Sequence, residues 1–398
     1  MDLTMLERPL NYLELAHLDR VVIMAAEYQG DLDADALARA FRHLCAVHPV
    51  LRARIRGTAP EAVLAVSPEH EPDLLVLEDE PDVLAKITAL PWDARAGVAD
   101  LVHVRGDRHG YVALRTDHSI TDANAWLGTF RELLRLFTAF AEGDEPVCEP
   151  GTALPAPPAA LFHERLGLIP YDRRLFHSAV PPEPTAGTAG LISGYLRLGV
   201  EETQWLKRAA RRYETTVHGL VAGAILLAQR VLAGGREAAP MYCVSPVDFR
   251  RRVDPPVGEL ETTNFMMSYV AETAVSPRLS PVLIGREVKA RMDEVLATPE
   301  GGRDPAPMED TLGRNLSYAL ISNLGVVEEF PAPAGVAFTE IHILNTVGDT
   351  FFPGYYVSTY RDRLTVLYIF TDRFFTRGDV DRVVRELYEQ LLIVGASA

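Results

Sequence analysis

The chain has few cysteines and no long apolar run. Its three cysteines, Cys45, Cys148 and Cys243, are far apart in sequence and form no CxxC pair, so neither a disulfide framework nor a zinc site is expected. The longest apolar run, residues 219–228, is too short to cross a bilayer. The start, MDLTMLERPL, lacks the basic and apolar stretches of a signal peptide. These absences predict a cytoplasmic protein without a membrane span.

Basic residues are also in deficit. The chain contains 39 Lys and Arg against 55 Asp and Glu, which gives a formal net charge of −16. This charge argues against nonspecific binding to nucleic acid or to anionic membranes. With 398 residues, 48% hydrophobic and 24% charged, the chain is long enough for two globular domains.

Several motifs of known chemistry are missing. The sequence contains no GxSxG, GxGxxG, GxxxxGK[ST] or HExxH, and no internal repeat of 20 to 50 residues is visible. Hydrolases with a nucleophile elbow, nucleotide-binding folds and zinc peptidases of the HExxH type are therefore disfavoured.

The most informative stretch is YVALRTDHSITDANAWLGTF, residues 111–130. Its first part alternates like a half-buried strand, and its second part repeats apolar residues every three or four positions like a helix. That helix would begin near Ala123, after a cap at Asp122 or Thr121. His118 thus lies at a strand-to-helix junction, where an imidazole can exchange a proton near neutral pH. The spacing by itself favours a structural histidine over a catalytic one, and a metal pair at i, i+4 less than either.

Periodicity predicts the remaining elements. Helices are expected around 37–45 (with Asp33 as a plausible cap and Pro49 just past the end), and near 201–213, 217–232, 281–297 and 379–392. Strands are expected at 21–28, 63–66, 74–77, 101–104, 111–116, 191–198, 241–246, 263–272, 318–322, 338–346, 355–360 and 364–370.

Motifs spread along the chain resemble those of the condensation domains and the chloramphenicol-acetyltransferase-like acyltransferases. DHSITDA is similar to their HHxxxDG motif, with His118 and Asp122 at its histidine and aspartate, Asp117 in place of the first histidine and Ala123 in place of the glycine. Further similar segments are residues 30–55, SPVDFRRRV (245–253), TTNF (262–265) and SNLG (322–325). The resemblance covers nearly the whole chain and points in particular to polyketide-associated, phthiocerol-dimycocerosyl-transferase-like acyltransferases.

This resemblance implies a fold of the α/β (α+β) class, with two acetyltransferase-like halves in a V and a central tunnel. An N-terminal domain, residues 1–177, would carry the HxxxD motif, and a C-terminal domain would occupy residues 191–398. Residues 143–190, rich in Pro, Ala and Gly, would form the crossover between the two domains.

The resemblance also implies an acyltransferase of natural-product or lipid biosynthesis. It would move an acyl group from a coenzyme A or phosphopantetheine-linked carrier-protein thioester to a hydroxyl, with an amine as the second choice, and His118 would be the general base. Because a thioester is already a good acyl donor, no nucleophilic side chain, metal or bound cofactor is expected. Two alternatives stay open: a noncatalytic module that recruits a carrier protein or partner enzyme, and a cyclase or isomerase on the same fold.

The resemblance assigns roles to further residues. Arg52 would pair with Asp122 and clamp the site, since a buried carboxylate needs a partner. Ser322 and Asn323, in a predicted turn, would bind the oxyanion or line the tunnel. Arg250 would either clamp neighbouring groups, which is the preferred reading, or contact the donor.

Docking of an acidic acyl carrier protein would need a basic patch that stands against the overall charge. Each candidate is more often simply a solvated face; the candidates are Arg173, Arg174, Lys207, Arg208, Arg211, Arg212, Arg250, Arg251 and Arg252.

Overall fold

A computed structural model describes residues 6–67, 69–167, 190–234, 237–297, 316–345 and 352–396. The chain forms two compact units. The first comprises Met1–Pro170, Asp248–Phe265 and Glu328–Val347, and the second comprises Tyr171–Val247, Met266–Val327 and Gly348–Ala398. Two segments that follow residue 191 therefore belong to the first unit, which the predicted division at 177 and 191 did not anticipate.

The helices are α1 (Tyr12–Leu15), α2 (Ala34–Val47), α3 (Val83–Ala89), α4 (Ala123–Ala141), α5 (Pro158–Leu166), α6 (Val200–Arg212), α7 (Val217–Ala233), α8 (Pro281–Leu296) and α9 (Arg377–Ala396), with short 3₁₀ turns at Pro49–Arg52 and His118–Ile120. The strands are β1 (Leu6–Pro9), β2 (Val21–Gly30), β3 (Ala53–Arg56), β4 (Val63–Val66), β5 (Leu74–Glu78), β6 (Ala99–Arg105), β7 (His109–Asp117), β8 (Leu191–Arg197), β9 (Ala239–Asp248), β10 (Met266–Val275), β11 (Tyr318–Val327), β12 (Val336–Asn345), β13 (Gly354–Tyr360) and β14 (Arg363–Thr371).

The first unit is built on a five-stranded sheet in the order β12-β2-β7-β6-β5, beside a small sheet in the order β1-β4-β3. Strands β6 and β7 form the predicted antiparallel hairpin, and β2 pairs along the full length of β7, with Val21 opposite Asp117. Helices α2 and α4 pack against each other, and both bury apolar faces, as their periodicity predicted. The β7 strand is therefore paired with β2 up to its last residue, Asp117, immediately before His118.

The second unit is built on a six-stranded sheet in the order β10-β9-β11-β13-β14-β8. Helix α7 is buried on nearly every side, as its composition predicted, and it packs against α8. Their backbones approach so closely that a Cβ atom on Gly223 would lie 2.1 Å from the carbonyl O of Pro281. Glycine is needed there because a side chain would push the two helices apart.

Most predicted elements are confirmed, and the differences are informative. Residues 322–325 are not a turn but part of β11, where the register shifts between Asn323 and Val326 as in a β-bulge. Helix α5 lies inside the Pro-rich crossover and was missed, as was α3; the Phe162 ring of α5 stacks on Phe265 at 4.1 Å.

Among the described residues, no single helix is long and apolar enough to cross a membrane. Helices α6 and α7 reach that length only together, and a bend of 103° separates them.

Candidate active site

The loop between β7 and α4 holds the HxxxD motif. The N–H of His118 donates to the carbonyl O of Arg20 at 2.6 Å, which continues the pairing of β2 with β7 by one residue. Asp122 is the N-cap of α4, and its Oδ1 accepts from the N–H groups of Asn124 and Ala125 at 3.1 and 3.0 Å. Of the two predicted caps, the structure selects Asp122, because its carboxylate satisfies two amide groups of the first helical turn.

The His118 ring is oriented by its own loop. Its Nδ1 lies 2.8 Å from the carbonyl O of Thr121. A carbonyl oxygen can only accept, so Nδ1 carries the hydrogen and Nε2 holds a lone pair when the ring is neutral. Burial lowers the pKa of His118 below its ordinary value, although the Thr121 carbonyl acts in the opposite direction. The ring is therefore neutral at neutral pH, with Nε2 ready to accept a proton.

The second oxygen of Asp122 forms a buried ion pair. Oδ2 accepts from Arg250 Nη1 and from the N–H of Phe265 at 2.7 Å. Arg250, which is 2% exposed, also donates to Asp248 Oδ1 at 2.9 Å and to the carbonyl O of Thr263 at 2.9 Å. Burial opposes the charge of Arg250, but the two carboxylates outweigh it and raise the pKa of the guanidinium. Both terminal nitrogens of the guanidinium thus have acceptors, as a buried pair requires, while Nε is buried without a partner among the described residues.

The predicted partner of Asp122 was wrong, because the structure places Arg250 at Asp122 where Arg52 was expected. Arg52 lies at the end of the 3₁₀ turn that follows α2, and its Nε donates to the carbonyl O of His70 at 3.1 Å. Arg250 reaches the motif because its segment folds into the first unit. The structure favours a clamping role for this arginine over contact with a donor, since its side chain is buried and its acceptors are all protein groups.

The TTNF segment supports the motif from the other side. It was predicted as the start of a strand, but β10 begins only at Met266. Asn264 Nδ2 donates to the carbonyl O atoms of His118 and Ser119, the latter at 3.1 Å. The polar groups of TTNF thus bind the HxxxD loop and do not pair with a neighbouring strand. The motif resemblance was the only sequence signal for Asn264, and its role was missed.

Asp117 occupies the position of the superfamily's first histidine. It is fully buried, and its carboxylate accepts from Trp92 Nε1 at 3.1 Å and from the N–H of Ser119 at 3.0 Å. Burial raises the pKa of Asp117 to about 6, and the two hydrogen bonds only partly offset that. Asp117 therefore shapes the turn at His118, and its burial lowers the free energy of unfolding whenever the carboxyl is ionised.

Asp117→Asn should relieve that cost in a pH-dependent way. The folded pKa lies above the unfolded one, so the carboxyl favours folding below about pH 4 and this contribution is lost as pH rises through 6. The variant's stability relative to wild type should therefore rise by about 2 kcal/mol between pH 4.5 and 7.5. Urea unfolding at both pH values measures it, with the exposed Asp107→Asn as control. A difference independent of pH would contradict the expectation.

A cavity of about 160 Å³ lies behind the motif in the first unit. It is lined by the 3₁₀ turn after α2, by residues 153–155 and by Thr116, Ile120 and Thr121. The Thr116 hydroxyl is buried and has no hydrogen-bond partner among the described residues. The lining mixes apolar side chains with threonine hydroxyls, so the cavity is a candidate space for a small group beside the motif.

The other predicted site residues lie elsewhere. Ser322 and Asn323 are on β11 in the second unit, and Asn323 Oδ1 accepts from the N–H of Gly325 at 2.8 Å. Their role at an oxyanion stays a prediction.

One group among the described residues has the donor atoms for a metal ion. Glu27, Glu340 and His342 place a carboxylate or imidazole atom each within 4.8 Å of one another. They lie where β2 faces β12, and Glu27 pairs with Tyr111, six positions along β7 from Asp117. His342 Nε2 is 3.7 Å from Glu27 Oε2, and the proximity of His342 lowers the pKa of Glu27. The cluster is accounted for as an ion pair distant from the motif.

Of the basic candidates for carrier docking, Arg250 is buried and Lys207 pairs with Asp362 at 2.8 Å. Arg173 and Arg174 lie outside the described residues. The exposed candidates are Arg208, Arg211, Arg212, Arg251 and Arg252.

Comparison with known proteins agrees with this fold. Residues 190–369 match the family described as phthiocerol/phthiodiolone dimycocerosyl transferase C-terminus. The phthiocerol/phthiodiolone dimycocerosyl transferase of Mycobacterium ulcerans (strain Agy99) is 25% identical over 367 residues, which cover 86% of each chain.

Two solved structures share the fold. Polyketide synthase associated protein 5 from Mycobacterium tuberculosis superposes with a TM-score of 0.79 and 20% identity, over 98% of this chain and 97% of that one. The first condensation domain of the calcium-dependent antibiotic synthetase superposes with a TM-score of 0.72 and 16% identity, over 98% and 97%.

The two solved structures show the class of fold, which is that of condensation domains and chloramphenicol-acetyltransferase-like enzymes. Within that class, the resemblance read from the motifs is confirmed: the chain is similar in sequence to the phthiocerol/phthiodiolone dimycocerosyl transferases.

Proposed function

We propose that this enzyme transfers an acyl group from a coenzyme A or carrier-protein thioester to a hydroxyl acceptor, with amines as the second acceptor class. The observation that carries the proposal is the orientation of His118. With Nδ1–H held by the Thr121 carbonyl, Nε2 is the only ring atom that can take a proton.

His118 acts as general base in this reaction. Nε2 removes the acceptor's proton while the acceptor oxygen bonds to the thioester carbonyl carbon. The tetrahedral intermediate then collapses, the C–S bond breaks, and the proton passes from His118 to the departing thiolate. No covalent acyl-enzyme is required, because the thioester itself is activated.

Asp122 has a different task from the aspartate of a Ser-His-Asp triad. Its two oxygens are used by the cap of α4, by the Phe265 N–H and by Arg250. The ring nitrogen Nδ1 is held by a backbone carbonyl instead. Asp122 therefore holds the loop in shape, and no carboxylate is needed to orient the imidazole.

The names of the relatives support a substrate class. One acts on phthiocerol or phthiodiolone as a dimycocerosyl transferase, and another is associated with a polyketide synthase. We therefore infer a polyketide or lipid alcohol as acceptor and a place in natural-product or lipid biosynthesis.

The test is incubation of the purified protein with acyl-coenzyme A and acyl-carrier-protein thioesters, each with and without alcohol and amine acceptors. We expect thiol release that requires an acceptor, an ester product by mass spectrometry, and loss of both in His118→Gln. A changed acyl chain without thiol release would instead indicate a cyclase or isomerase. No reaction with any pair, combined with carrier-protein binding, would indicate a recruitment module.

A further inference from the structure

A second histidine, His17, lies against His118. The two rings are stacked, with centroids 4.3 Å apart and an angle of 24° between their planes. His17 comes from the short segment between α1 and β2, outside every motif recognised in the sequence. The hydrophobic and motif patterns contain no signal for it, because the contact joins residues about one hundred positions apart.

Helix α1 has only four residues, but several hydrogen bonds and a buried ion pair fix its position. Asn11 caps it through a reciprocal capping box with Glu14. Glu14 is fully buried, and its carboxylate accepts from Arg8 and from Thr263 Oγ1, each at 2.6 Å. The N–H of His17 then donates to the carbonyl O of Glu14 at 3.0 Å. The backbone of His17 is thus tied to the same TTNF segment that holds the HxxxD loop.

The ring of His17, by contrast, is not held by a hydrogen bond at Nδ1. That atom is buried and has no partner among the described residues. A buried polar atom without a partner costs folding free energy. The ring of His17 instead stacks on that of His118, so the two imidazoles pack as one unit.

Burial disfavours a charge on either ring. Burial, and after it the charge of His118 and of Arg20, lowers the pKa of His17 well below its ordinary value. Burial is also the main cause that lowers the pKa of His118, on which the charges of Arg20 and Asp122 act in opposite directions.

We propose that His17 is a positioning residue for acyl transfer: its ring stacks on His118, fixes the plane of that imidazole and keeps water from one of its faces. This inference rests on the proposed function, since it assigns His17 to the general base of that reaction.

The test compares His17→Ala, which removes the ring, with His17→Phe, which keeps an aromatic face without titratable nitrogens. His43→Ala is the matched control, because His43 is also a buried histidine packed on an aromatic ring, Phe140, at 5.8 Å. The readouts are kcat, KM and the titration of His118 by NMR of ¹³C-labelled histidine, assigned with His118→Gln.

We expect His17→Ala to lower kcat roughly 10-fold with little change in KM, because the general base is no longer held in one plane. The His118 titration should move upward by about half a pH unit or more, because water reaches the exposed face. His17→Phe should restore most of kcat, and His43→Ala should lower thermal stability without moving the His118 titration. Should His17→Ala fail to fold, His17→Leu removes the ring at similar volume and should show the same loss of kcat.

The proposal is overturned if the folded ring-less variant has wild-type kcat and an unmoved His118 titration. It is also overturned if His17→Phe is as impaired as His17→Ala, since the aromatic face would then not be what matters. The NMR titration needs no turnover. An upward shift in His17→Ala, without acyl transfer by the wild type, would support the coupling of the two rings while rejecting the proposed function.

Discussion

His118→Ala should remain folded but turn over at least about 100-fold more slowly than the wild type. The ring is half-buried, and its hydrogen bond to the Thr121 carbonyl is short-range, so little packing is lost. The proton acceptor, in contrast, is lost completely. Steady-state kcat/KM with a thioester and an alcohol, measured beside thermal melting, gives the comparison.

Two further measurements sharpen this test. His118→Gln retains polarity and most of the volume, so it should be as slow as His118→Ala if proton transfer is the missing function. Added imidazole should partly restore turnover in His118→Ala, since it can enter the vacated space and act as base. Near-wild-type turnover by a folded His118→Ala protein would remove the general-base assignment.

Asp122→Ala should act mainly on stability, with a loss of roughly 3 to 5 kcal/mol in unfolding free energy. The substitution leaves the buried guanidinium of Arg250 with one carboxylate fewer, and it leaves the N–H of Phe265 without its acceptor. It also removes the cap of α4, which contributes typically about 1 kcal/mol. Chemical unfolding and soluble yield measure the loss, and activity should fall with them.

The ion pair itself can be isolated with a double-mutant cycle. Arg250→Ala should be destabilising by a similar amount, and Asp122→Ala with Arg250→Ala should cost clearly less than the sum. High salt should change little, because the pair is buried. Arg52→Ala is the matched control and should be much milder. An Asp122→Ala protein that melts like wild type yet is inactive would instead give Asp122 a direct catalytic role.

Local patterns were sufficient for most elements around the site. The strand before His118 and the helix after Asp122 follow from residues within a few positions of each other, since period, capping and turn chemistry act at that range. Helix α4 begins at Ala123, as predicted. Alanine at position 123, in place of the glycine of the superfamily motif, is compatible with the fold because the start of a helix needs no positive φ.

Local patterns failed where backbone groups have distant partners. Residues 263–265 have the composition of a strand, but their polar groups bind Arg250, His118 and Asp122 instead of a neighbouring strand. Residues 322–325 contain turn-forming Asn and Gly, yet pairing with β13 keeps them in β11 as a bulge. In both cases tertiary contacts outweigh local propensity.

The amino-acid sequence by itself determined the order of most helices and strands, a capped strand-to-helix junction at Thr121 or Asp122 and the presence of one histidine suited to proton transfer there. Only the tertiary structure decided that Arg250, 128 positions away, neutralises Asp122, and that His17 stacks on His118. The physical reason is that hydrophobic period and capping depend on neighbours along the chain. The partner of a buried charge or ring depends on which distant segments fold against it. Arg52 and Arg250 carry the same forked guanidinium, so side-chain chemistry alone could not decide which of them pairs with Asp122.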